Sequence, residues 1–307
     1  MQDSFLVIEN LSKSYRNKIA LNSVSFQIPQ GSVYGLIGQN GAGKTTLIRI
    51  LNKIIDADSG QVLFKGEKID SNTIAHIGYL PEERGLYKNM TIEEQALYFG
   101  QLKEMSKPKA IAAMDYWLQR FDILDWKKKK IEDLSKGMAQ KVQFIIAVLH
   151  QPELLILDEP FSGFDPINAD LIAQEIKELS KQGTTIIFSS HRMESVSEMC
   201  DDVCLIHKGT TLLQGSIEKI QEQYANEVYE IGLTTVNPSL LTEFLNNAAY
   251  QTKRIAQTPE KVSLETSIVA GNSSELLQTI SGLGTVHLFK KHVPTLQEIF
   301  IKTIQNA

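Results

Sequence analysis

Short runs of branched and aromatic residues, separated by polar turns, fill the first 35 positions of the chain. The runs read FLVIENL, ALNSVSFQI and SVYGLIG, and a turn around 29–31 precedes the last of them. Branched residues in short alternating runs are typical of β-strands. After Gly43 the apolar residues recur at the period of a helix, and four of them are expected on one face: Leu47, Ile50, Leu51 and Ile54. The pattern therefore predicts strands that lead into a helix.

Residues of about 90–150 carry a mostly helical pattern, with TIEEQALYFGQLKEM and PKAIAAMDYWLQRFDIL as amphipathic segments. Farther along, the runs LLILD (154–158) and TTIIFSS (184–190) are short and apolar, as in parallel strands that are buried on both faces. The helical segment DLIAQEIKELSKQG lies between these two runs. Strand, helix and strand in that order indicate a βαβ unit. We expect an α/β core that carries a helical arm at about 90–150.

Near Gly215 the pattern changes to a series of shorter elements. It predicts, in order, a helix (about 216–225), a strand (227–233), a helix (238–247), two strands (250–257 and 261–268), a helix (274–281), a strand (284–290) and a last helix (294–304). A chain of 307 residues has room for two domains of about 100–200 residues each. We expect one domain over residues 1–215 and a small C-terminal α+β domain over residues 216–307.

Composition and charge narrow the possible functions. The chain has 31 Lys and Arg residues against 36 Asp and Glu residues, a net charge of −5, which argues against a broad basic surface for nucleic acid. The longest apolar runs, such as FIIAVL (144–149), fall far short of the roughly 18–20 residues that a membrane helix needs. The N-terminal MQDSFLVIEN has no basic segment before an apolar stretch, and the two cysteines fit a reducing compartment. We therefore expect a cytosolic chain that reaches a membrane only through a partner.

The segment GQNGAGKT (38–45) fits the pattern G-x-x-x-x-G-K-[ST]. Glycines let the backbone curl until successive N–H groups point inward at a phosphate, and the N-terminus of the following helix adds partial positive charge. In this arrangement Lys44 reaches the β- and γ-phosphates and Thr45 holds Mg²⁺. The alternative is a glycine-rich turn without a ligand, but the predicted strand before it and the predicted helix after it favour a phosphate-binding loop.

The apolar run LLILDE ends in two carboxylates, Asp158 and Glu159. Asp158 would hold Mg²⁺, directly or through water, and Glu159 would polarise the water that attacks a phosphate. Taken alone, the pair also fits a capped strand end. Upstream, the run LSKGM (134–138) opens a predicted helix over 139–149, and Ser135 taken alone fits equally well as the N-cap of that helix.

The run LSKGMAQKVQ, between the phosphate loop and LLILDEP, resembles the signature of the ATP-binding cassette (ABC) ATPases. Further motifs of that family occur in the right order along the chain. Tyr15 stands where an aromatic residue stacks on adenine, Ser162-Gly163-Phe164-Asp165 matches the D-loop, and Ser190-His191 matches the switch histidine. The resemblance covers about residues 4–215.

The resemblance implies a P-loop NTPase fold with a helical subdomain, which binds ATP and Mg²⁺ and hydrolyses ATP. It implies catalytic roles for Lys44, Glu159 and His191, the last as a sensor of the γ-phosphate. The implied Mg²⁺ ligands are Thr45, Asp158 and Glu82. The implied nucleotide contacts within one chain are Tyr15, Gly38, Gln39, Asn40, Gly41, Ala42, Gly43, Lys44, Thr45 and Thr46, and those contributed in trans by a second copy are Ser135 and Gly137.

The chain departs from the family pattern in two places. Lys136 and Met138 occupy positions where the signature usually has a glycine and a glutamine. Glu82, in GYLPEERGLYKNMT, stands where the family has a glutamine. A carboxylate there can still bind Mg²⁺ or water, but it adds negative charge near the phosphates. Together with the C-terminal appendage, these variants resemble the exporter subfamily that includes sodium-extrusion and drug or peptide ABC subunits.

The resemblance also implies partners. Two copies of the chain would sandwich two ATP molecules, and a multi-span membrane permease would hold the pair at the inner face of the cell membrane. The segment 82–98 would receive a helix of the permease, and four residues there are either its anchors or ordinary core residues: Leu86, Tyr87, Met90 and Ile92. The basic run 127–130 fits either a solvated loop or a contact with anionic lipid headgroups.

Two other functions compete with a transport ATPase. A soluble ABC ATPase that acts on ribosomes or DNA fits less well, because the chain holds one cassette, no long coiled coil and a negative net charge. A nucleotide-binding scaffold without catalysis is disfavoured by the presence of Glu159 and His191. We therefore expect an ATPase subunit that powers an exporter through ATP-driven closure of a dimer, and a permease that chooses the substrate.

Overall fold

The computed structural model describes residues 4–16, 18–83, 85–258 and 261–306. The chain divides into two compact units, one of Met1–Ile217 with Phe300–Ala307 and the other of Glu218–Ile299. Across the described residues there are three sheets and ten α-helices. The α/β class expected for the chain is thus confirmed.

The first unit contains two of the sheets. Its strands are β1 (Ser4–Tyr15), β2 (Lys18–Pro29), β3 (Val33–Ile37), β4 (Ser59–Phe64), β5 (Glu67–Lys68), β6 (Ile77–Leu80), β7 (Leu154–Asp158), β8 (Thr185–Ser190), β9 (Asp202–His207) and β10 (Thr210–Ser216). The smaller sheet is antiparallel in the order β2-β1-β4-β5, and the larger has the order β10-β9-β3-β8-β7-β6. The strands predicted from the early alternating runs are confirmed as β1, β2 and β3.

The larger sheet is parallel from β9 to β6, and β10 pairs antiparallel with β9. Every residue of β3, β7 and β8 is buried, as continuous apolar runs predict for strands covered on both faces. A helix over Pro166–Lys181 connects β7 to β8, so the predicted βαβ unit is confirmed. Because these strands are parallel, their carboxyl ends, at Ile37, Asp158 and Ser190, meet at one edge of the sheet.

The helices of the first unit include the predicted arm. They are α1 (Lys44–Leu51), α2 (Ile92–Leu102), α3 (Lys107–Arg120), α4 (Lys136–Val148), α5 (Pro166–Lys181) and α6 (Met193–Met199), with short 3₁₀ turns at Thr73–His76, Leu124–Trp126 and Ile131–Asp133. The arm consists of α2, α3 and α4, and α2 begins at a capping box formed by Thr91 and Glu94. Within the described part of the chain, no helix combines the length and apolarity that crossing a bilayer requires.

The prediction for Ile54 is wrong, and the structure decides between the two alternatives for Ile92. The helix α1 ends at Leu51, so Ile54 lies beyond it and is 58% exposed. Lys53 has a left-handed backbone with φ of 52°, which ends the helix before the apolar pattern ends. Ile92, one of the four candidate partner anchors, is fully buried in the first turn of α2. Ile92 is therefore a core residue of the arm, as the alternative interpretation held.

The second unit is an antiparallel sheet with helices packed on it. After α7 (Ile217–Tyr224), the chain forms β11 (Val228–Thr234), α8 (Pro238–Leu245), β12 (Tyr250–Gln257), β13 (Lys261–Ile268), α9 (Ser273–Ser281), β14 (Thr285–Lys291) and α10 (Leu296–Gln305). The predicted order of helices and strands is confirmed. The strand order β12-β13-β11-β14 is that of a split β-α-β-β-α-β fold. The core joins the sheet to α8 and α9 through Tyr229, Ile231, Leu233, Leu264, Leu241, Phe244, Leu276 and Ile280.

His150, which follows α4, is a half-buried residue in a positively charged neighbourhood. Its Nε2 is 3.2 Å from the carbonyl oxygen of Ile77, which also accepts a hydrogen bond from the ammonium group of Lys103 at 2.7 Å. Burial, assisted by the charge of Lys103, lowers the pKa of His150 to about 4. The folded protein therefore favours the neutral imidazole.

This histidine predicts a pH dependence of stability. The ordinary pKa of 6.5 applies in the unfolded chain, so the unfolded state binds more protons between pH 6.5 and pH 4. The contribution of the neutral imidazole is complete above this interval and is lost as pH falls through it. We expect the free energy of unfolding to fall by up to about 1.4 kcal/mol per pH unit more in the wild type than in His150→Gln. Urea titrations between pH 7 and pH 4 measure both slopes, and equal slopes would contradict the burial effect.

Candidate functional site

The loop 38–43 connects the carboxyl end of β3 to the N-terminus of α1. At Gly43 φ is 121°, and a Cβ there would lie 2.5 Å from the carbonyl oxygen of Ala20. At Gly38 a Cβ would lie 2.3 Å from the carbonyl oxygen of Ile206. Only glycine fits these two positions. Gly43 is the N-cap of α1 and makes no side-chain hydrogen bond to it, which leaves the first N–H groups of the helix available to bind an anion.

Lys44, the first residue of α1, is a buried cation with 8% of its surface exposed. Its ammonium group donates to the carbonyl oxygens of Gly38 at 2.6 Å and Gln39 at 3.3 Å. Burial lowers the pKa of Lys44, and the nearby carboxylates of Glu159 and Asp158 oppose that effect. The loop thus holds a positive charge beside its own backbone N–H groups, an arrangement suited to a chain of phosphates.

Asp158 and Glu159 follow one another at the carboxyl end of β7. Asp158 is 5% exposed, and burial raises the pKa of its carboxyl group. The hydroxyl-bearing Thr45 and the carboxylates of Asp158 and Glu82 line the same cleft, and oxygen ligands of this kind are those that Mg²⁺ prefers. The donor set therefore fits the Mg²⁺ site expected from the sequence. A divalent cation there would offset the cost of ionising a buried Asp158.

Glu159 and His191 are in direct contact. Oε1 of Glu159 accepts the backbone N–H of His191 at 2.8 Å and lies 2.6 Å from Nδ1 of the histidine ring. The other oxygen, Oε2, accepts the hydroxyl of Ser190 at 3.2 Å. Glu159 also has a left-handed backbone, with φ of 50°, a conformation that costs energy and that surrounding contacts must hold. The sequence predicts a role for each side chain, but the pairing of β7 with β8 is what brings them together.

One cleft collects most of the predicted nucleotide residues. It is lined by Tyr15, Gln39, Asn40, Gly41, Gly43, Lys44, Thr45, Thr46, Glu82, Asp158, Glu159 and His191, and Gly38 and Ala42 lie in the same loop. Two residues that sequence reasoning missed, Lys18 and Ala20, line it as well. Strand pairing is the signal that could have found Lys18, because it lies opposite Tyr15 in the register of β1 and β2.

Ser135 and Gly137 do not line that cleft; they lie at the start of α4. Ser135 is the N-cap of α4, since its Oγ accepts the N–H of Met138 at 3.3 Å. A Cβ at Gly137 would have nothing within 4 Å, so the backbone there is open. One chain therefore brings together the phosphate loop, the two carboxylates and His191, but not the two signature residues.

Both units resemble parts of known proteins. Residues 21–162 match the family described as ABC transporter, and residues 215–304 match the C-terminal domain of DrrA1-3-like ATP-binding proteins. The uncharacterized ABC transporter ATP-binding protein YhaQ of Bacillus subtilis is 38% identical over 303 residues, which span 97% of this chain and 98% of YhaQ. The linearmycin resistance ATP-binding protein LnrL of the same species is 28% identical over 305 residues, spanning 96% and 97% of the two chains. A solved structure of an ATP binding subunit of an ABC transporter matches with a TM-score of 0.68 and 28% identity over 72% of this chain and 93% of that chain.

The geometry of the loop predicts the effect of one added methyl group. In Gly43→Ala the new Cβ collides with the carbonyl oxygen of Ala20, so the loop must move and its N–H groups lose their alignment. We expect the affinity for Mg·ATP to fall at least about tenfold, the loss of one or two charge-assisted hydrogen bonds. Titration with a fluorescent ATP analogue measures this affinity.

Gly66→Ala is the matched control for that substitution. Gly66 has φ of 84°, but a Cβ there would meet nothing within 4 Å. The variant therefore carries the backbone strain of a left-handed alanine without a collision in the loop. We expect reduced stability and unchanged ATP affinity in Gly66→Ala, and equal losses of affinity in the two variants would contradict the proposed fit of the loop.

Proposed function

Because this chain belongs to the ATP-binding proteins of ABC transporters, we propose that it powers an exporter by closing with a second copy of itself around two ATP molecules. One observation carries the proposal. The phosphate loop, Asp158, Glu159 and His191 share a cleft that Ser135 and Gly137 of the same chain do not line. The chain is an ATPase by family, and this division of the site supports a requirement for a second copy.

The start of α4 is suited to complete the site of another chain. Ser135 is exposed and caps the helix, and Gly137 presents backbone without a side chain. The N-terminus of this 13-residue helix carries partial positive charge and favours an anion. Placed against the cleft of a second copy, it would bind the γ-phosphate of the nucleotide held there. Two such contacts in one dimer give two equivalent sites.

The cleft supports a set of binding roles within one chain. Tyr15, at 43% exposure, offers a ring face for adenine. The N–H groups of the loop and Lys44 hold the phosphates. Thr45, Asp158 and Glu82 would hold Mg²⁺, which supplies neutralisation of phosphate charge during transfer. With Glu82 in place of a glutamine, the site carries one more negative charge than the family pattern has.

Glu159 is the proposed general base. Its Oε1 is held by the backbone and by Nδ1 of His191, so the carboxylate has a defined orientation toward the cleft. A base in this position accepts a proton from the attacking water. Since Nδ1 of His191 contacts Glu159, Nε2 is the ring nitrogen left to contact the γ-phosphate. In this role the histidine links the base to the phosphoryl group that the water attacks, and ADP is the leaving group.

The proposed permease contact lies on segment 82–98. Tyr87 is 52% exposed and packs edge-on against Tyr98, with ring centroids 5.5 Å apart. Leu86, the residue before Tyr87, and Met90, three residues after it, are half-buried. Exposed aromatic residues of this kind are enriched in the centres of protein interfaces. These three residues are the anchors that we retain from the four expected.

The basic run 127–130 is a weaker candidate for membrane contact. Lys127 forms an ion pair with Asp115 at 2.7 Å, and Lys128 forms one with Glu93. The ammonium group of Lys129 lies 5.3 Å from the ring centroid of Trp126. Because these positive charges are engaged within the arm, the run supports a structured loop better than it supports an interaction with headgroups.

The direction of transport is inferred from relatives. LnrL is named for linearmycin resistance, and the C-terminal match is to DrrA1-3-like proteins. Resistance to a toxic compound is consistent with export. We therefore propose a cytoplasmic subunit, peripheral on the inner face of the cell membrane, that works with a multi-span permease.

The base role predicts the behaviour of Glu159→Gln. Glutamine keeps the size of the side chain but cannot accept the proton, so hydrolysis should fall by about 10²–10⁴-fold. Lys44, Thr45 and Asp158 remain, so Mg·ATP should still bind. The uncleaved nucleotides should then hold two chains together, and the variant should be a dimer with ATP and a monomer with ADP. Light scattering and phosphate release measure the two properties.

Lys44→Ala is the matched control, because it removes a phosphate contact rather than the base. It should lose both ATP binding and ATP-dependent dimerisation. Near-normal turnover in Glu159→Gln would remove that residue from the base role. A dimer that is equally stable with ADP would contradict the proposal that ATP drives closure.

The shared site predicts complementation between two inactive chains. Ser135→Arg should block the site formed with the second copy's loop, whereas Lys44→Ala disables the chain's own loop. A dimer with these substitutions on different chains keeps one intact composite site, and we expect about half of the wild-type hydrolysis. With both substitutions on one chain and a wild-type partner, neither site is complete. Activity in that second arrangement, measured with differently tagged chains, would show that each chain works alone.

A further inference from the structure

Lys136, which stands where the signature usually has a glycine, lies over another glycine of the same chain. A Cβ at Gly163 would lie 2.3 Å from Cε and 2.7 Å from Nζ of Lys136. Gly163 has φ of 82°, in the left-handed region that favours glycine. The lysine side chain therefore covers the turn that follows Glu159, and the absence of a side chain at Gly163 is what allows this approach.

Gln140 holds the same turn one helical turn farther along α4. Residues four apart on a helix lie on the same face, so Lys136 and Gln140 are neighbours there. The side-chain amide of Gln140 donates to the carbonyl oxygen of Ser162. The N–H of Ser162 donates to the carbonyl oxygen of Glu159 at 3.0 Å and closes the turn. Two side chains of α4 thus hold a turn whose first residue is Glu159.

The orientation of Glu159 depends on contacts on both sides. On one side its N–H donates to the carbonyl oxygen of Ser189 at 2.9 Å, and its carboxylate binds His191. On the other side lies the turn that ends at Gly163. A glycine has the conformational freedom to leave the observed geometry. Left-handed backbone at a non-glycine residue persists only where neighbours hold it. The contacts from α4 hold this second side, together with the ring of Phe161, whose centroid lies 5.4 Å from that of Phe188.

We propose that Lys136 and Gln140 are positioning residues that keep Glu159 of their own chain in its productive orientation. The inference rests on the proposed role of Glu159 as general base. It assigns Lys136 an action within one chain, whereas the adjacent Ser135 and Gly137 are proposed to act on a second copy. The lysine acts through its methylene stem, which packs on Gly163. Lys136 and Gln140 do not line the nucleotide cleft. They line a neighbouring cavity that Glu82, Asp158 and Glu159 also border, on which the phosphate loop has no residue, so we expect the affinity for ATP not to depend on them.

Steady-state kinetics give the first test. Lys136→Ala and Gln140→Ala should each lower kcat about 5- to 30-fold, because a displaced base reacts less often, and should leave KM for ATP unchanged. Lys136→Met retains the length of the stem and should recover most of kcat. Lys141→Ala, which removes the next lysine on the same helix, should behave as wild type. A rise in KM, or a Lys136→Met variant as slow as Lys136→Ala, would contradict positioning through the stem.

Mixed dimers give the decisive test. Two differently tagged chains are purified together so that one carries Glu159→Gln and a single site hydrolyses ATP. Lys136→Ala is then placed either on the chain with the intact Glu159 or on its Glu159→Gln partner. Single-turnover phosphate release compares the two arrangements. We expect the 5- to 30-fold loss only when Lys136→Ala and the intact Glu159 share a chain.

Each other outcome overturns the inference in a recognisable way. A loss confined to the opposite arrangement would assign Lys136 to the contact with the second copy's nucleotide. No loss in either arrangement would remove Lys136 from the reaction, with the proposed function left standing. Near-normal hydrolysis in the Glu159→Gln homodimer would instead overturn the base role and, with it, this inference.

Discussion

The parallel pairing of three buried strands, β3, β7 and β8, is the constraint on which the site depends. Each strand is buried along its whole length, so apolar packing on both faces determines the register. In that register Asp158 lies opposite Ser189, and Ile37 lies opposite Ser190. The phosphate loop, the carboxylate pair and His191 therefore meet at the edge where these strands end. The position of these groups at that edge therefore depends on the hydrophobic packing of the three strands.

The same burial disfavours the charged forms of two side chains in the cleft. It lowers the pKa of Lys44 and raises the pKa of Asp158, so for each group burial opposes the charged form that the proposed function uses. Phosphates paired with Lys44 and a divalent cation paired with Asp158 would offset the cost of keeping these two buried groups charged. A ligand that carries both a cation and an anion, as Mg·ATP does, would stabilise the charged forms of both groups.

The helix α4 connects the two halves of the proposed mechanism. Its exposed first turn carries Ser135 and Gly137, which the proposal directs at a second copy. Its side chains Lys136 and Gln140 contact the turn that begins at Glu159 of the same chain. The second unit has a hydrophobic core of its own, formed by residues between Tyr229 and Phe289.

The sequence by itself determined the order of helices and strands in both units and the identity of the chemical groups, because periodicity, turn residues and the spacing of the phosphate loop are local properties. The helical period wrongly placed Ile54 in α1, since the end of that helix depends on the backbone of Lys53. The sequence also could not decide whether Ile92 was an anchor for a partner or a core residue. Only the tertiary structure decided that His191 contacts Glu159, that Lys18 joins the cleft and that Lys136 covers Gly163. These contacts depend on strand register, on strand pairing across a hairpin and on the packing of a helix against a turn. No pattern of neighbouring residues encodes how separate elements meet.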